Sequence, residues 1–289
     1  MTNKSLNISG TLVDLSTPLI MGIVNITPDS FFFDSRKQTE TEIVARCRQI
    51  IDEGGTILDI GAQSSAPSST FLSAKEEAER LMPALRLIRK EFPDAIVSVD
   101  TFYADVVRQA VEEFGANIIN DISGGQIDER MFPTVAQLNV PYILTHMRGT
   151  PQTMQSLTDY DNFIQDILYY FSERKAKLNL LGVNDVIIDP GFGFSKTMSQ
   201  NFELMAHLKH FCIFDEPVLV GISRKSMIYK LLNTSPQESL NGTTVLNTVA
   251  LLSGASILRV HDVCEAAECV RIVQQLNSET SESTKSKLA

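Results

Sequence analysis

The sequence has little positive charge for its length. Its 289 residues contain 25 Lys and Arg against 35 Asp and Glu, which gives a formal net charge of −10. A chain this acidic is not expected to bind nucleic acid or an anionic membrane surface through its overall field. Any anionic ligand must therefore be held by a local cluster of cationic side chains.

Cysteine is also scarce, and long apolar runs are absent. The four cysteines (Cys47, Cys212, Cys264 and Cys269) form no CxxC pair and show no metal-ligand spacing. This usage is typical of reduced, packed cysteines in a cytoplasmic protein. No apolar run is long enough to span a membrane, and the N-terminal residues lack the apolar segment of a signal peptide. These absences predict a cytoplasmic protein without a membrane partner.

The chain does contain eight apolar runs rich in Val, Ile and Leu, which begin near residues 18, 56, 95, 116, 140, 185, 217 and 255. A segment with helical spacing follows each of them. Strands that are apolar on both faces belong to parallel sheets, and eight β/α units close into a barrel. We predict an α/β protein with a single (β/α)8 TIM barrel over residues 18–276. A short strand or hairpin in residues 1–17 precedes the barrel, and a disordered polar tail at 277–289 follows it.

Nearly every predicted strand ends in a polar residue, and in such barrels the chemistry lies at the carboxyl ends of the strands. These ends carry Asn25, Asp59, Asp100, Asn120, His146, Asp189, Lys225, Arg259 and His261. A lone Asp at a strand end is commonly a helix N-cap, and Asp59 and Asp121 could be no more than that. So many polar ends at one mouth nevertheless predict a functional site there.

The last strand delivers two cationic side chains to this mouth. Arg259 and His261 are separated by one residue, so in an extended strand they point to the same side. By itself the pair could be an edge-strand arginine with a surface histidine. Together with the other strand ends, the pair predicts an anion site.

Six stretches resemble the dihydropteroate synthase family and occur in its order. They are residues 21–31 (MGIVNITPDSF), 120–122 (NDI), 146–154 (HMRGTPQTM), 189–194 (DPGFGF), 223–227 (SRKSM) and 259–261 (RVH). The resemblance extends from about residue 18 to 275. It implies a transferase of folate biosynthesis that joins 6-hydroxymethyl-7,8-dihydropterin pyrophosphate to 4-aminobenzoate and releases pyrophosphate.

The resemblance assigns the flat pterin to Asp100, Asn120, Met147, Asp189 and Lys225. A buried pterin edge needs carboxylates and amides, because each polar group left unpaired costs about 1–3 kcal/mol. By itself, Asp189 could be a turn-forming residue before a proline. Lys225 could equally be a solvated lysine at a helix start.

The resemblance assigns the pyrophosphate to Asn25, Ser65, Arg259 and His261, and the aminobenzoate to Phe194, Lys225 and Ser226. Arginine can bind a phosphate through two parallel hydrogen bonds. Asn25 resembles the residue that contacts a Mg²⁺ cofactor, and one amide oxygen suits a water-rich Mg²⁺ shell. The implied catalytic residues are Asp100, Lys225, Arg259 and His261. The implied reaction is a dissociative substitution in which the C–O bond to pyrophosphate breaks first.

The sequence departs from the family pattern at two positions. Residues 64–68 read SSAPS where Ser-Thr-Arg-Pro-Gly is usual, so Ala66 replaces an arginine, and Ser195 replaces a glycine. The lost arginine removes a charge-assisted hydrogen bond of about 1.5–3 kcal/mol. One hypothesis is that Arg36 or Arg148 supplies the charge, with altered aminobenzoate or sulfonamide affinity.

Two other hypotheses are a non-catalytic pterin-binding paralogue and a methyltetrahydrofolate-type pterin methyltransferase. The family also implies a homodimer. The late helices are apolar enough for one at Val245, Val249, Leu251, Leu252, Val270, Ile272 and Val273.

Overall fold

The computed structural model describes the backbone of residues 4–26, 36–63 and 71–287, and the side chains of residues 4–26, 40–63 and 71–279. Ser65, Ala66 and the side chain of Arg36 lie outside these ranges. Predictions that involve them stay predictions.

The chain begins with an antiparallel hairpin of β1 (Ser5–Ile8) and β2 (Thr11–Asp14) within residues 1–17. Eight parallel strands follow: β3 (Leu19–Asn25), β4 (Ile57–Gly61), β5 (Ile96–Asp100), β6 (Ile118–Asp121), β7 (Tyr142–Thr145), β8 (Val186–Asp189), β9 (Leu219–Val220) and β10 (Ile257–Val260). They pair in the order β8-β7-β6-β5-β4-β3-β10-β9. A bridge between Ile188 and Val218 joins the two ends of this sheet. The predicted eight-stranded barrel is confirmed.

Helices lie between the strands and cover the barrel. They are α1 (Arg36–Asp52), α2 (Ala74–Glu91), α3 (Ala104–Phe114), α4 (Met131–Leu138), α5 (Phe163–Leu180), α6 (Met198–Ala206), α7 (Ser226–Leu231), α8 (Leu240–Leu252) and α9 (Val263–Lys287). Helix α2 starts at a capping box of Ser73 and Glu76, and α3 ends where Gly115 takes a left-handed conformation. Within the described ranges, no helix has the length and apolar character needed to cross a membrane.

Helix α9 extends further than the predicted barrel boundary. It continues to Lys287, although the composition after Asn277 predicted a disordered tail. Propagating an existing helix adds one backbone hydrogen bond for each residue fixed, so a polar segment can continue it. A bond from Gln275 Nε2 to Glu279 Oε1 (2.9 Å) supports this turn. The helical backbone of residues 277–287 thus differs from the predicted disorder, and the domain boundaries stay a prediction.

The amino-terminal end of the barrel is filled by aliphatic side chains. Leu6, Ile8 and Leu15 from the hairpin segment form one cluster with a layer of interior strand residues. That layer consists of Leu19, Met21, Ile57, Ile118, Ile143, Ile187, Leu219 and Ile257. The hairpin therefore closes the bottom of the barrel and leaves the carboxyl ends of the strands for the site.

Candidate active site

The alternation of side chains along the strands places polar residues directly above the aliphatic layer. Asp59, Asn120, Asp189 and Arg259 each follow an interior isoleucine by two residues: Ile57, Ile118, Ile187 and Ile257. Residues two apart in a strand point to the same side. The barrel interior thus changes from aliphatic to polar and charged between one side-chain layer and the next.

Arg259 lies at the centre of this polar layer. Its Nε donates to Asp59 Oδ2 and its Nη2 donates to Asp100 Oδ2, each at 2.7 Å. Asn120 Nδ2 also donates to Asp59 Oδ2, at 3.2 Å. Asp59 is fully buried inside β4 and is not a helix N-cap, so the capping interpretation of this residue is wrong. Asp121, in contrast, accepts from the backbone of Ser123 and Gly125 and shapes a turn.

Asp100 and Asp189 are held in an environment that opposes ionisation of their carboxyl groups. Burial raises the pKa of Asp100 to about 7, with Arg259 opposing the rise and Asp59 adding to it. Burial also raises the pKa of Asp189, whose Oδ1 accepts a hydrogen bond of 2.8 Å from Gly191 N. Carboxyl groups of this kind can bind the N–H edge of a heterocycle and respond to a nearby positive charge.

Lys225 reaches the same space from the start of α7. Its Nζ donates to the carbonyl of Phe192 and lies 4.6 Å from the ring centroid of Phe194. Burial lowers the pKa of Lys225 to about 8, with Asp189 opposing the shift. A side chain at Gly193 would come within 3.2 Å of Lys225 Cδ, so this glycine makes room for the lysine stem. Ser226 follows and is exposed.

A cavity of about 460 Å³ lies at the rim, lined from the end of β3, from α1 and from the residues after β9 and β10. Asn25, Arg46, Arg224, His261 and Asp262 are among its lining residues. Arg46 Nη2 donates to the His261 carbonyl at 2.6 Å, and Arg224 binds Asp262 through two bonds of 2.9 and 2.7 Å. The structure therefore brings Asn25 and His261 together at the lip.

His146, one of the predicted strand-end residues, does not reach this lip. It is buried, with Nδ1 2.9 Å from Lys196 Nζ. Lys196 also donates to the carbonyls of Gly191 and Phe194, each at 2.9 Å. Any side chain at Gly191 would lie 2.1 Å from the His146 carbonyl oxygen. The His146–Lys196 pair therefore holds the loop after β8 in place through the Gly191 and Phe194 carbonyls. Nothing in the sequence singled out Lys196. Met147, beside His146, is fully buried.

Arg148 and Ser195 connect two loops at this end of the barrel. Ser195 has a φ of 49°, which is uncommon for a residue other than glycine. Its Oγ accepts from Arg148 N (2.8 Å) and donates to the Arg148 carbonyl (2.9 Å). The Arg148 guanidinium lies 3.8 Å from the Tyr160 ring centroid and 3.7 Å from Asp166. The Arg148 guanidinium is thus already in contact with Tyr160 and Asp166, although one hypothesis assigned it to replace the charge lost at Ala66.

Comparison of the sequence with known proteins places this chain among pterin-binding enzymes. A family profile described as "Pterin binding enzyme" matches residues 21–261. The dihydropteroate synthase of Escherichia coli K12 is 39% identical over 267 residues, which cover 92% of this chain and 94% of that protein. The enzyme of the same name from Synechocystis is 39% identical over 260 residues, covering 89% of each chain.

Solved structures give the same result for the fold. The Yersinia pestis dihydropteroate synthase, solved in a sulfonamide drug complex, has a TM-score of 0.88 and 36% identity, covering 96% of this chain and 100% of its own. The Xanthomonas albilineans enzyme, solved with 4-aminobenzoic acid, has a TM-score of 0.86 and 34% identity, covering 96% and 99%.

Proposed function

The chain belongs to the pterin-binding enzyme family, and we infer that it is a dihydropteroate synthase, a transferase of folate biosynthesis. It condenses 6-hydroxymethyl-7,8-dihydropterin pyrophosphate with 4-aminobenzoate to give 7,8-dihydropteroate and pyrophosphate. The observation that carries this function is the cluster of Asp59, Asp100, Asn120 and Arg259 at the barrel mouth. It combines acceptors and donors for a polar heterocycle with a cation for an anionic leaving group.

The pterin fits the deeper part of this cluster. Asp100, Asn120 and Asp189 offer two carboxylates and an amide to the amino-pyrimidinone edge, and Lys225 adds a donor beside them. These side chains lie in or at the ends of β5, β6 and β8 and at the start of α7. Because a buried polar edge must be paired, this set favours a pterin over an apolar ring. Met147 belongs to the same proposed set.

The pyrophosphate is proposed to extend from Arg259 to His261 and Asn25 at the lip, and Ser65, which lies outside the described residues, stays a predicted ligand. In a dissociative substitution, the C–O bond between the pterin methylene and the phosphate breaks first. Arg259 and His261 then stabilise the departing anion, while Asp100 stabilises the positive charge that develops on the pterin. The neutral amine of 4-aminobenzoate forms the new C–N bond and loses a proton. Lys225, Ser226 and Phe194 are proposed to hold this second substrate.

Mg²⁺ is proposed to arrive with the pyrophosphate. Within the described part of the chain, no group of three His, Cys, Asp or Glu side chains could hold a metal ion by itself. Asn25, exposed at the end of β3, fits the single protein ligand of a water-rich Mg²⁺ bound mainly by phosphate oxygens. The ion would supply charge neutralisation on the leaving group.

A homodimer is proposed through the outer face of α8 and α9. Val245, Leu252 and Ile272 are 53, 58 and 59% exposed, whereas Leu251 and Val270 pack onto the barrel. An exposed apolar face of this kind suits a subunit contact. We also propose a cytoplasmic location, which the four unpaired cysteines support.

Steady-state kinetics test the function directly. Pyrophosphate release should depend on 4-aminobenzoate, and dihydropteroate should form in equal amount. If calorimetry shows dihydropterin binding but neither product forms, the protein is the non-catalytic paralogue that the replacement at Ala66 suggested. Restoring the usual residue with Ala66→Arg should lower the KM for aminobenzoate if the missing charge matters.

A further inference from the structure

The histidine at the lip is held by a serine that the proposed reaction has not used. Ser223 is buried in the turn after β9, and its Oγ lies 3.0 Å from His261 Nδ1 and 3.2 Å from the His261 backbone N. A backbone N–H can only donate, so the hydroxyl accepts this bond. The hydroxyl then has one hydrogen of its own to donate.

That hydrogen has one acceptor among the contacts seen in the described ranges, which is Nδ1 of His261. If Nδ1 carried the proton instead, the serine oxygen would accept twice and its own hydrogen would have no acceptor among the described residues, which is less favourable in this part-buried position. A neutral imidazole has a single N–H. The hydrogen-bond arrangement therefore puts that proton on Nε2.

We propose that Ser223 is a positioning residue that locks His261 in the Nε2–H tautomer, so that a neutral imidazole donates a hydrogen bond to the departing pyrophosphate. This proposal rests on the proposed function, because it assigns the anion at the lip to the leaving group. It gives His261 the role of a fixed hydrogen-bond donor and not of a proton donor.

Desolvation of the ring and the neighbouring cations both lower the pKa of His261, which favours the neutral imidazole. Three cations face it: Arg259 from its own strand, Arg224 from the turn after β9 and Arg46 from α1, with Asp262 as the opposing acid. His261 is exposed as a residue at the lip, so the desolvation that lowers its pKa is partial, and Arg259 lowers the pKa further. Arg224 and Arg259 are themselves paired with Asp262 and with Asp59 and Asp100, and Glu42 also lines the cavity. The tautomer therefore depends on the Ser223 contact and not on net charge.

The turn that carries Ser223 is itself fixed by Arg224. This residue has a φ of 55°, and its guanidinium binds Asp262 and the carbonyls of Pro236 and Gln237. Arg46 Nη2 holds the His261 carbonyl from the other side. Arg224 and Arg46 thus hold the two segments that carry Ser223 and His261. The Ser223 hydroxyl is therefore kept next to the His261 ring.

Nitrogen NMR of ¹⁵N-histidine-labelled protein tests the tautomer. The chain has four histidines, and loss of one set of signals in His261→Gln assigns the ring. Near neutral pH, His261 should show a protonated Nε2 and an unprotonated Nδ1. A protonated Nδ1, or protons on both nitrogens, overturns the proposal. This readout needs folded wild-type protein and the His261→Gln variant for assignment but no turnover, so it decides the question whether or not the enzyme is active.

Variants test the consequence for catalysis. Ser223→Ala should give a mixture of tautomers and raise the KM for the pterin pyrophosphate about tenfold, with the KM for aminobenzoate nearly unchanged. Ser223→Thr, which keeps the hydroxyl, should restore both values. In a His261→Gln background, Ser223→Ala should have no further effect on that KM. An equal effect in both backgrounds, or an unchanged tautomer in Ser223→Ala, contradicts the proposal. Absence of turnover in the wild type would instead refute the proposed function.

Discussion

The two ends of the barrel interior use the same strands for opposite purposes. At the bottom, Ile57, Ile118, Ile187 and Ile257 pack against the hairpin as a closed aliphatic layer. Two residues further along the same strands, the side chains are Asp59, Asn120, Asp189 and Arg259, which form the mouth. The bottom layer gains from excluding water, whereas the upper layer holds charges in a partly dry space, where each interaction with a ligand is stronger. Stability and chemistry are thus separated by one pleat of the sheet.

The largest expected effect comes from the upper layer of β10. Arg259→Lys keeps the positive charge between Asp59 and Asp100 but removes the two-pronged geometry, which a lysine cannot reproduce. We expect kcat/KM for the pterin pyrophosphate to fall by about 10²–10³, as for other lost transition-state donors. Steady-state assays measure this. A fall of less than about threefold would contradict the role given to Arg259.

The matched change in the lower layer lies two residues earlier. Ile257→Ala removes a fully buried side chain from the aliphatic cluster and should reduce the free energy of unfolding by about 2–5 kcal/mol. Because this layer contains none of the proposed ligand-binding residues, kcat/KM measured well below the melting temperature should stay within about twofold of wild type. Urea unfolding and kinetics on the same sample check both parts. A large loss of activity in the folded variant would erase the distinction between the layers.

The pH dependence of activity sharpens the comparison within the upper layer. Asp100 must be ionised to stabilise a cation, so kcat/KM should rise as the pH passes about 7. Lys225 must be protonated to donate, so kcat/KM should fall as the pH passes about 8. Lys225→Arg keeps a cation at all these pH values and should remove the alkaline limb while leaving the acid limb. An unchanged alkaline limb in this variant would assign it to another group.

The smallest effect concerns Glu77, a buried acid of α2 outside the mouth. Burial raises its pKa from 4.5 to about 8. The folded state therefore holds this proton more tightly than the unfolded state, and its contribution to stability is lost as the pH rises from 4.5 through about 8. Glu77→Gln cannot ionise, so above that range it should exceed wild type in unfolding free energy by at least about 1 kcal/mol. Equal stabilities on both sides of the range would contradict this assignment.

Much of this organisation could be predicted from the sequence, because its causes are local. Apolar runs rich in β-branched residues mark the eight strands, and the polar residue after each run marks the mouth. The barrel, the family and the dihydropteroate synthase function followed from these runs and the motifs they carry, and the comparisons confirm them. The predicted roles of Asn25, Lys225, Arg259 and His261 stay predictions, although the structure brings them to one end of the barrel.

Other features depend on contacts between distant parts of the chain. Asp59 resembled a helix cap in the sequence, and only the bond from Arg259, 200 residues later, identifies it as part of the cluster. Likewise, Lys196 had no local signal, because its partner His146 lies 50 residues earlier.

The amino-acid order by itself determined which residues face the interior and which strand ends are polar, because side chains alternate with a fixed period of two. Only the tertiary structure decided which charges meet, which are buried and which hydroxyl fixes the ring of His261. Closing the barrel brings β10 beside β3 and the turn after β9 beside both. A hydrogen bond depends on distances of a few tenths of an ångström across these junctions, and no spacing along the chain specifies them.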